Sequence, residues 1–194
     1  RNDKVYPDLA FSYSNGEVTK GSAQNGNRKV VGVSPIAYLA PGWPKQNSAV
    51  FQPYFEALVA FVGTLIERGY LVVLFSTDGP DREIVGDIVD ALTKERDLDV
   101  RGKLSHPRTH TLPELFDQLR QVDYVVASRL HGVLLSHRFC LPVLAISYDR
   151  KVDTYMADVG LSEHCVDIHD VTADSLVEAF ERLTEESESI RSRL

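Results

Sequence analysis

A polar turn set directly between two apolar runs, at residues 123–135, constrains the fold of this chain more than any other stretch. The run Tyr124–Ala127 is short, apolar and rich in β-branched residues, which is typical of a strand buried on both faces of a parallel sheet. The turn SRLHG follows at residues 128–132, and the apolar residues 133–135 predict the start of a buried helix. The polar residues therefore lie where a parallel strand gives way to a helix.

In open α/β sheets this is the edge where ligands bind, because helix N-termini present unpaired N–H groups and the positive end of the helix dipole. A serine, an arginine and a histidine there, with a glycine that lets a ligand approach the backbone, predict an anion site beside a titratable group. These residues are Ser128, Arg129, His131 and Gly132. A purely structural interpretation stays open, since loop arginines and histidines are often only solvated and a serine before a helix is a common cap.

Strand-like and helix-like patterns alternate from residue 28 onward. Apolar runs predict strands at 30–33, 71–75, 98–100, 124–127, 143–146 and 165–168. Apolar residues at helical spacing predict helices over 55–66, 84–92, 112–119, 153–158 and from Thr172, besides the helix after the turn at 128–132. Thr111, Pro113 and Glu114 predict a capping box at the third of these helices.

This alternation predicts a Rossmann-like, doubly wound parallel α/β sheet with right-handed crossovers. Two successive halves predict the strand order 3-2-1-4-5-6, with the switch point between the first strand and the strand that ends at Ala127. The polar, glycine-rich stretch 14–28 predicts a linker. We therefore expect residues 1–28 to be a segment and linker from a mostly absent N-terminal lobe, and residues 29–194 to form the Rossmann-like C-terminal domain.

Composition excludes several classes of function. The net charge of −7 argues against nucleic-acid binding, which needs a basic surface. No apolar run approaches the ~20 residues of a membrane-spanning helix. Cys140 and Cys165 lack metal-site or redox spacing, so two buried free thiols in a reducing cytoplasm are expected.

The loops after the first, second, fourth and fifth predicted strands should meet at one cleft. They carry Ser34, Ser76, Arg129, His131, Tyr148, Arg150 and Lys151. We expect an electropositive hollow there, with the arginine and the histidine facing into it together, suited to a phosphate or carboxylate and to acid-assisted chemistry. The sequence lacks the glycine-rich dinucleotide, P-loop and hydrolase-elbow motifs, and His106 and His110 flank a proline in a predicted loop, so no metal site is expected.

Several short motifs together carry a family resemblance. They are Pro7-Asp8-Leu9-Ala10-Phe11, Ser128-Arg129-Leu130-His131-Gly132, Pro142-Val143-Leu144-Ala145-Ile146, Tyr148-Asp149-Arg150-Lys151 and Gly160-Leu161. In this combination the chain resembles the polysaccharide pyruvyl transferase family over nearly its whole length, most specifically over residues 123–161.

The resemblance implies a two-lobed enzyme with a GT-B-like fold, of which this chain is the C-terminal lobe. Such an enzyme transfers the pyruvyl group of phosphoenolpyruvate to a sugar as a ketal and releases phosphate, in exopolysaccharide or cell-surface polysaccharide synthesis. The implied partners are phosphoenolpyruvate, a sugar or lipid-linked oligosaccharide acceptor and the missing N-terminal lobe. No cofactor, metal or nucleic acid is expected, nor any membrane span, although peripheral contact with the inner membrane stays open.

Under this resemblance the turn at 128–132 supplies the two expected catalytic residues, His131 as the acid and Arg129 as the ligand of the phosphate or carboxylate. The backbone amides from Leu130 to Gly132 and Lys151 would assist in binding these anionic groups. The rest of the expected substrate-binding set is Ser128, Ser34, Ser76 and Tyr148. The fragment is expected to be inactive if the other half of the cleft is needed for turnover.

Two alternatives stay open, because one fold serves many functions. The same architecture suits a nucleotide-sugar-dependent glycosyltransferase or epimerase, for which Asp149 is the nearest carboxylate to bind a ribose. A non-catalytic carbohydrate-binding remnant is the other. It would bind sugar without releasing phosphate.

Overall fold

The structure is a computed structural model, and it describes residues 28–194. The predicted Pro7–Phe11 motif and nearly all of the predicted linker lie outside the described residues. The division of the chain near residue 28 therefore stays a prediction.

Six parallel strands and seven α-helices form the described domain. The strands are β1 (Val30–Ser34), β2 (Leu71–Leu74), β3 (Leu104–Ser105), β4 (Tyr124–Ala127), β5 (Val143–Ser147) and β6 (Cys165–Asp167). The helices are α1 (Ser48–Glu67), α2 (Arg82–Asp90), α3 (Leu112–Leu119), α4 (Leu130–Arg138), α5 (Arg150–Asp158), α6 (Ala173–Glu185) and α7 (Ser187–Arg193). Short 3-10 turns precede α2 and β6, and a π turn over Ala91–Glu95 follows α2.

The sheet order is β3-β2-β1-β4-β5-β6, so the predicted order and its switch point between β1 and β4 are confirmed. All neighbouring strands pair in parallel, with Val33 of β1 opposite Leu74 on one side and Val126 on the other. Strands β1, β4 and β5 are buried along their whole length, as their unbroken apolar runs require. Their carboxyl ends form the edge that the sequence analysis predicts as the ligand site.

The third strand differs from its prediction. Leu98 and Val100 do not pair in the sheet; they are partly buried side chains of a loop packed against the core, and β3 forms at Leu104–Ser105. Gly102 adopts a φ of 67°, and Leu104 N donates to Val100 O, which closes a turn between the two apolar positions and the strand. The apolar character of Leu98 and Val100 thus identified residues that pack on the core, but it did not identify the residues that pair in the sheet.

Helix α1 begins at Ser48, earlier than predicted, because Asn47 caps it by accepting a hydrogen bond from Ala49 N. By length and composition alone it is the one helix in the described part of the chain that could cross a membrane. In the structure it packs against α6 and β2, with Phe61 and Val62 fully buried, as the core helix of an α/β domain does. The predicted capping box of α3, between Thr111 and Glu114, is confirmed.

The prediction of two buried thiols is wrong for Cys140, and Cys165 is only half-buried. Cys140 is exposed, because it follows α4 with a left-handed φ of 52° that turns it out of the helix. His137 and His164, whose side chains are titratable, are both buried in the domain. His137 Nδ1 lies 2.9 Å from the hydroxyl of Tyr155, and burial lowers the pKa of His137 from 6.5 to about 4.

Candidate functional site

The turn between β4 and α4, residues 128–132, lies at the carboxyl edge of the sheet beside the switch point. We call it the α4 turn. Arg129 occupies the N-cap position in an extended conformation, and no side chain among the described residues caps the helix there. The first turn of α4 also contains no acidic residue. The helix N-terminus therefore offers its N–H groups and positive dipole end to an anion.

Two buried hydroxyl groups lie beside this helix end. Ser34 Oγ at the end of β1 and Thr77 Oγ1 after β2 are buried and have no hydrogen-bond partner within residues 28–194. A side chain at Gly132 would meet Ala127 Cβ at 3.3 Å, Ser34 Oγ at 3.7 Å and Thr77 Cγ2 at 3.8 Å. The glycine therefore lets α4 pack closely against β4 beside Ser34 and Thr77, and each of their hydroxyls needs an acceptor.

Arg129 is an ion-paired residue and not an unpaired cation. Its Nε and Nη2 donate to the carboxylate of Asp81, which is fully buried, and Nη2 also lies 3.1 Å from Asp78 Oδ2. Burial opposes the charged form of Arg129, but the hydrogen bonds and charge of Asp81, followed by the charges of Asp78 and Tyr148, hold the pKa of Arg129 above its ordinary value. The predicted electropositive hollow is thus corrected: two carboxylates offset the guanidinium, and the helix end supplies the remaining positive potential.

The sequence analysis missed Asp81 as a residue of the site. Besides holding Arg129, Asp81 Oδ1 accepts a hydrogen bond of 2.9 Å from Ala37 N, which fixes the loop after β1. Asp81 lies 48 positions from Arg129, and an aspartate before a helix is expected in any case. No pattern in the neighbouring sequence marked Asp81 as a residue of the site.

Tyr54 of α1 is the second residue that the sequence analysis missed. It is fully buried, its hydroxyl accepts from Ile36 N at 3.1 Å, and its oxygen lies 3.1 Å from Ser128 Oγ. Burial raises the pKa of Tyr54 to about 12, so its phenol stays protonated and can donate to Ser128. The sequence could have indicated this role, because Tyr54 places a hydroxyl on an otherwise apolar helix face and a buried tyrosine hydroxyl needs a hydrogen-bond partner.

The other predicted site residues are placed as follows. His131 is exposed on the first turn of α4, and Leu130 beside it is half-buried. The ring of Tyr148 packs on Tyr38 at 5.1 Å between centroids, and burial is the largest of the causes that raise its pKa.

Two of the predicted substrate-binding residues make their contacts away from the α4 turn. Ser76 exchanges hydrogen bonds with the backbone of Asp78. Lys151 N donates to Asp149 Oδ1 at the start of α5, and the lysine side chain lines an open depression with Thr154 and Asp158. The structure therefore brings Ser34, Ser128, Arg129 and Gly132 together more closely than it does Lys151.

One group in the described part of the chain could offer three metal-ligand atoms within 4.8 Å of one another, namely Glu163, His164 and Glu186. These side chains are partnered inside the protein: His164 Nε2 lies 3.2 Å from Glu186 Oε2, and Arg193 Nη2 lies 3.5 Å from Glu163 Oε1. They stabilise the junction of α6 and α7 against the turn before β6.

The parallel sheet, its strand order and the open carboxyl edge define a Rossmann-like α/β domain of the kind found in GT-B glycosyltransferases. The fold is similar to that of ADP-heptose LPS heptosyltransferase II from E. coli, with a TM-score of 0.59 and 18% identity over 84% of this chain and 48% of that one. The family model for polysaccharide pyruvyl transferases matches residues 1–150, and the chain belongs to this family.

A curated relative supports the same assignment. The chain is 28% identical over 162 residues to the amylovoran biosynthesis protein AmsJ of Erwinia amylovora. The match covers 82% of this chain but only 39% of that protein. The chain thus spans well under half the length of this relative.

Proposed function

We propose that this chain is the donor-binding lobe of an enzyme that transfers the pyruvyl group of phosphoenolpyruvate to a sugar as a ketal, releasing phosphate. The product would be a pyruvylated exopolysaccharide or cell-surface polysaccharide precursor made in the cytoplasm. Membership of the pyruvyl transferase family and similarity to an amylovoran biosynthesis protein support the proposal.

The observation that carries the proposal is the pair of unpartnered hydroxyls beside an uncapped helix end. Leaving a buried hydroxyl without a partner costs about 1–3 kcal/mol, and a phosphate oxygen at this edge would supply the acceptor that Ser34 or Thr77 lacks once the side chain rotates toward it. The N–H groups of the α4 turn would bind further oxygens of the same group, as helix N-termini do with phosphates.

Arg129 would bind the carboxylate or phosphate edge of the donor substrate from a position fixed by Asp81. Its guanidinium carries five N–H donors, so it can hold a buried carboxylate and still bind a ligand. The side chain is 16% exposed, which leaves it accessible from the edge of the sheet.

His131 would protonate the methylene carbon of phosphoenolpyruvate and create an oxocarbenium-like centre. One sugar hydroxyl then adds to the adjacent carbon, which bears the phosphate and the carboxylate, and a second hydroxyl displaces phosphate from that carbon and closes the ketal. Of the two hydroxyl protons released, one balances the proton delivered to the methylene carbon and the other leaves with the phosphate. The exposure of the imidazole on the turn that would bind the phosphate supports this role.

Phosphorus NMR of the full-length protein with phosphoenolpyruvate and candidate pyranoside acceptors tests the proposal. We expect inorganic phosphate to appear only when an acceptor is present. His131→Ala should slow its release by about 10²–10⁴-fold, the usual contribution of a general acid. His106→Ala, which changes an exposed histidine of the loop before α3, is the matched control and should leave the rate unchanged.

Two results would contradict the proposal. One is unchanged phosphate release in His131→Ala, which would remove this residue from the reaction. The other is consumption of a nucleotide sugar with no turnover of phosphoenolpyruvate, which would favour a glycosyltransferase.

A further inference from the structure

A groove beside the α4 turn has a chemistry unlike that of the phosphate site. It has a volume of about 660 Å³, within the range of small-molecule sites, and we call it the Trp43 groove. Its apolar lining includes Trp43, Phe51 and Ile84, and its polar lining includes Asp78, Glu83 and Asp87. Arg129 also lines it, at the side of the α4 turn.

The apolar side is built from packed aromatic rings. Trp43 is half-buried and meets the ring of Tyr38 edge-on, with 5.9 Å between centroids. Arg129 Cζ lies 5.8 Å from the centroid of the Trp43 ring, and Phe51 stacks on Phe55 at 5.8 Å. Tyr38 and Arg129 thus contact the indole, and Phe51 and Phe55 extend the apolar side.

The acidic side consists of Glu83 and Asp87, one helical turn apart on α2 and both exposed. Like charges at this spacing destabilise a helix, and neither carboxylate forms an ion pair within residues 28–194. Partial burial, followed by repulsion from Glu83 and Asp90, raises the pKa of Asp87. The carboxylates therefore face the groove with unused hydrogen-bond acceptors.

We infer that the Trp43 groove binds an uncharged pyranose unit. Aromatic rings suit the apolar C–H faces of a sugar ring, and carboxylates, which only accept hydrogen bonds, suit its hydroxyl donors. Three carboxylates against one guanidinium oppose the entry of a dianion, so this groove and the phosphate site select different molecules. A polyamine would also pair with the two carboxylates of α2, but it has no flat apolar face to pack on the indole of Trp43.

The groove and the proposed phosphate site share Arg129. A sugar in the groove would thus lie next to the group that it has to attack, which makes the groove an acceptor subsite. That last step rests on the proposed function, whereas the binding of a pyranose does not.

The chain contains one tryptophan, so selectively excited fluorescence reports on this groove alone. We would titrate the full 194-residue chain with methyl pyranosides of galactose, glucose and mannose. A saturating change in Trp43 emission with at least one of them is expected.

The double variant Glu83→Ala/Asp87→Ala should weaken that binding at least about tenfold, the equivalent of one charge-assisted hydrogen bond. Both side chains are exposed and repel each other, so their removal should not unfold the domain. Glu178→Ala removes an exposed carboxylate from α6 and is the matched control, for which wild-type affinity is expected. Trp43→Phe, followed by saturation-transfer NMR in place of fluorescence, should also bind more weakly.

Three outcomes would overturn the inference: no saturable change with any of the pyranosides, equal affinity in the double variant, or saturation by spermidine but by no pyranoside. Phosphoenolpyruvate binding is measured separately by phosphorus NMR. If phosphoenolpyruvate binds and the pyranosides do not, the groove inference fails and the proposed function stands. If the pyranosides bind and phosphoenolpyruvate does not, the groove inference stands and the proposed function fails.

Discussion

At the scale of single residues, Arg129 has a structural role as well as its proposed role in binding. Asp81 is fully buried, and the guanidinium is its counter-charge. Removing one partner of a buried ion pair leaves an uncompensated charge. Loss of substrate affinity in an Arg129 variant would therefore be mixed with loss of folding stability.

We expect Arg129→Ala to lower the free energy of unfolding by about 3–5 kcal/mol in urea denaturation. Replacing both partners by apolar residues, as Arg129→Met/Asp81→Leu, should recover most of that loss, less about 1 kcal/mol for the hydrogen bond from Ala37 N. Lys94→Ala breaks the exposed pair with Asp90 and should cost less than about 1 kcal/mol. A double variant no more stable than Arg129→Ala would contradict this account.

His137 should make stability depend on pH. Burial lowers its folded-state pKa from 6.5 to about 4, so the unfolded chain binds a proton between these values and the folded chain does not. The stabilisation is full above pH 6.5 and is lost as the pH falls toward 4. At 1.36 kcal/mol per pKa unit, about 2.5 kcal/mol should be lost between pH 7.5 and 4.5.

Urea denaturation of wild type and His137→Asn at both pH values measures this loss. An asparagine oxygen can replace Nδ1 as the partner of the Tyr155 hydroxyl but does not titrate. The wild type should lose about 2.5 kcal/mol more than the variant on acidification. His106→Asn changes an exposed histidine and should behave as wild type; equal pH dependence in all three proteins would contradict the assignment.

At the scale of helices and strands, the sequence predicted what is local and repeated. The order of six strands follows from alternating patterns, and the capping box of α3 from Thr111 and Glu114, three residues apart. The features that could not be predicted depend on contacts between residues far apart in the chain. Leu98 and Val100 have strand-like character but pack in a loop, and the site contacts of Asp81 and Tyr54 span 48 and 74 positions.

One of these long-range contacts joins α1 to the α4 turn. Tyr54→Phe keeps the buried ring but removes the partner of Ile36 N and Ser128 Oγ, and we expect it to cost about 1–3 kcal/mol of unfolding free energy. Phosphoenolpyruvate binding should weaken as well, because Ser128 is then free to rotate beside the N-terminus of α4. Urea denaturation and phosphorus NMR titration measure the two effects.

Tyr70→Phe is the matched control, because Tyr70 is only half-buried and contacts Phe180 through its ring. It should change stability by less than about 0.5 kcal/mol. If Tyr54→Phe and Tyr70→Phe behave alike, the hydroxyl of Tyr54 does not anchor the α4 turn.

At the scale of the whole molecule, the described domain presents its proposed site on an open edge. The match to the curated relative covers 39% of that protein, and the match to the heptosyltransferase covers 48% of that chain. In our proposal, a second lobe faces this edge and closes the cleft. The proposed phosphate site and the Trp43 groove are both built from the described residues alone, so binding and turnover should be separable.

We therefore expect the 194-residue chain to bind phosphoenolpyruvate through the α4 turn but to release phosphate at least about a hundredfold more slowly than a protein of its relatives' full length. Catalysis depends on holding both reactants in the right orientation, and a misplacement of about 1 Å can already lower the rate about a hundredfold. Phosphorus NMR measures both quantities, with Gly132→Ala as the control for the site of binding. Its added methyl would crowd Ala127 at 3.3 Å and fill the space beside Ser34, so binding should be lost. Turnover at equal rates by the short and the long protein would show that one lobe suffices, and undiminished binding by Gly132→Ala would place phosphoenolpyruvate elsewhere.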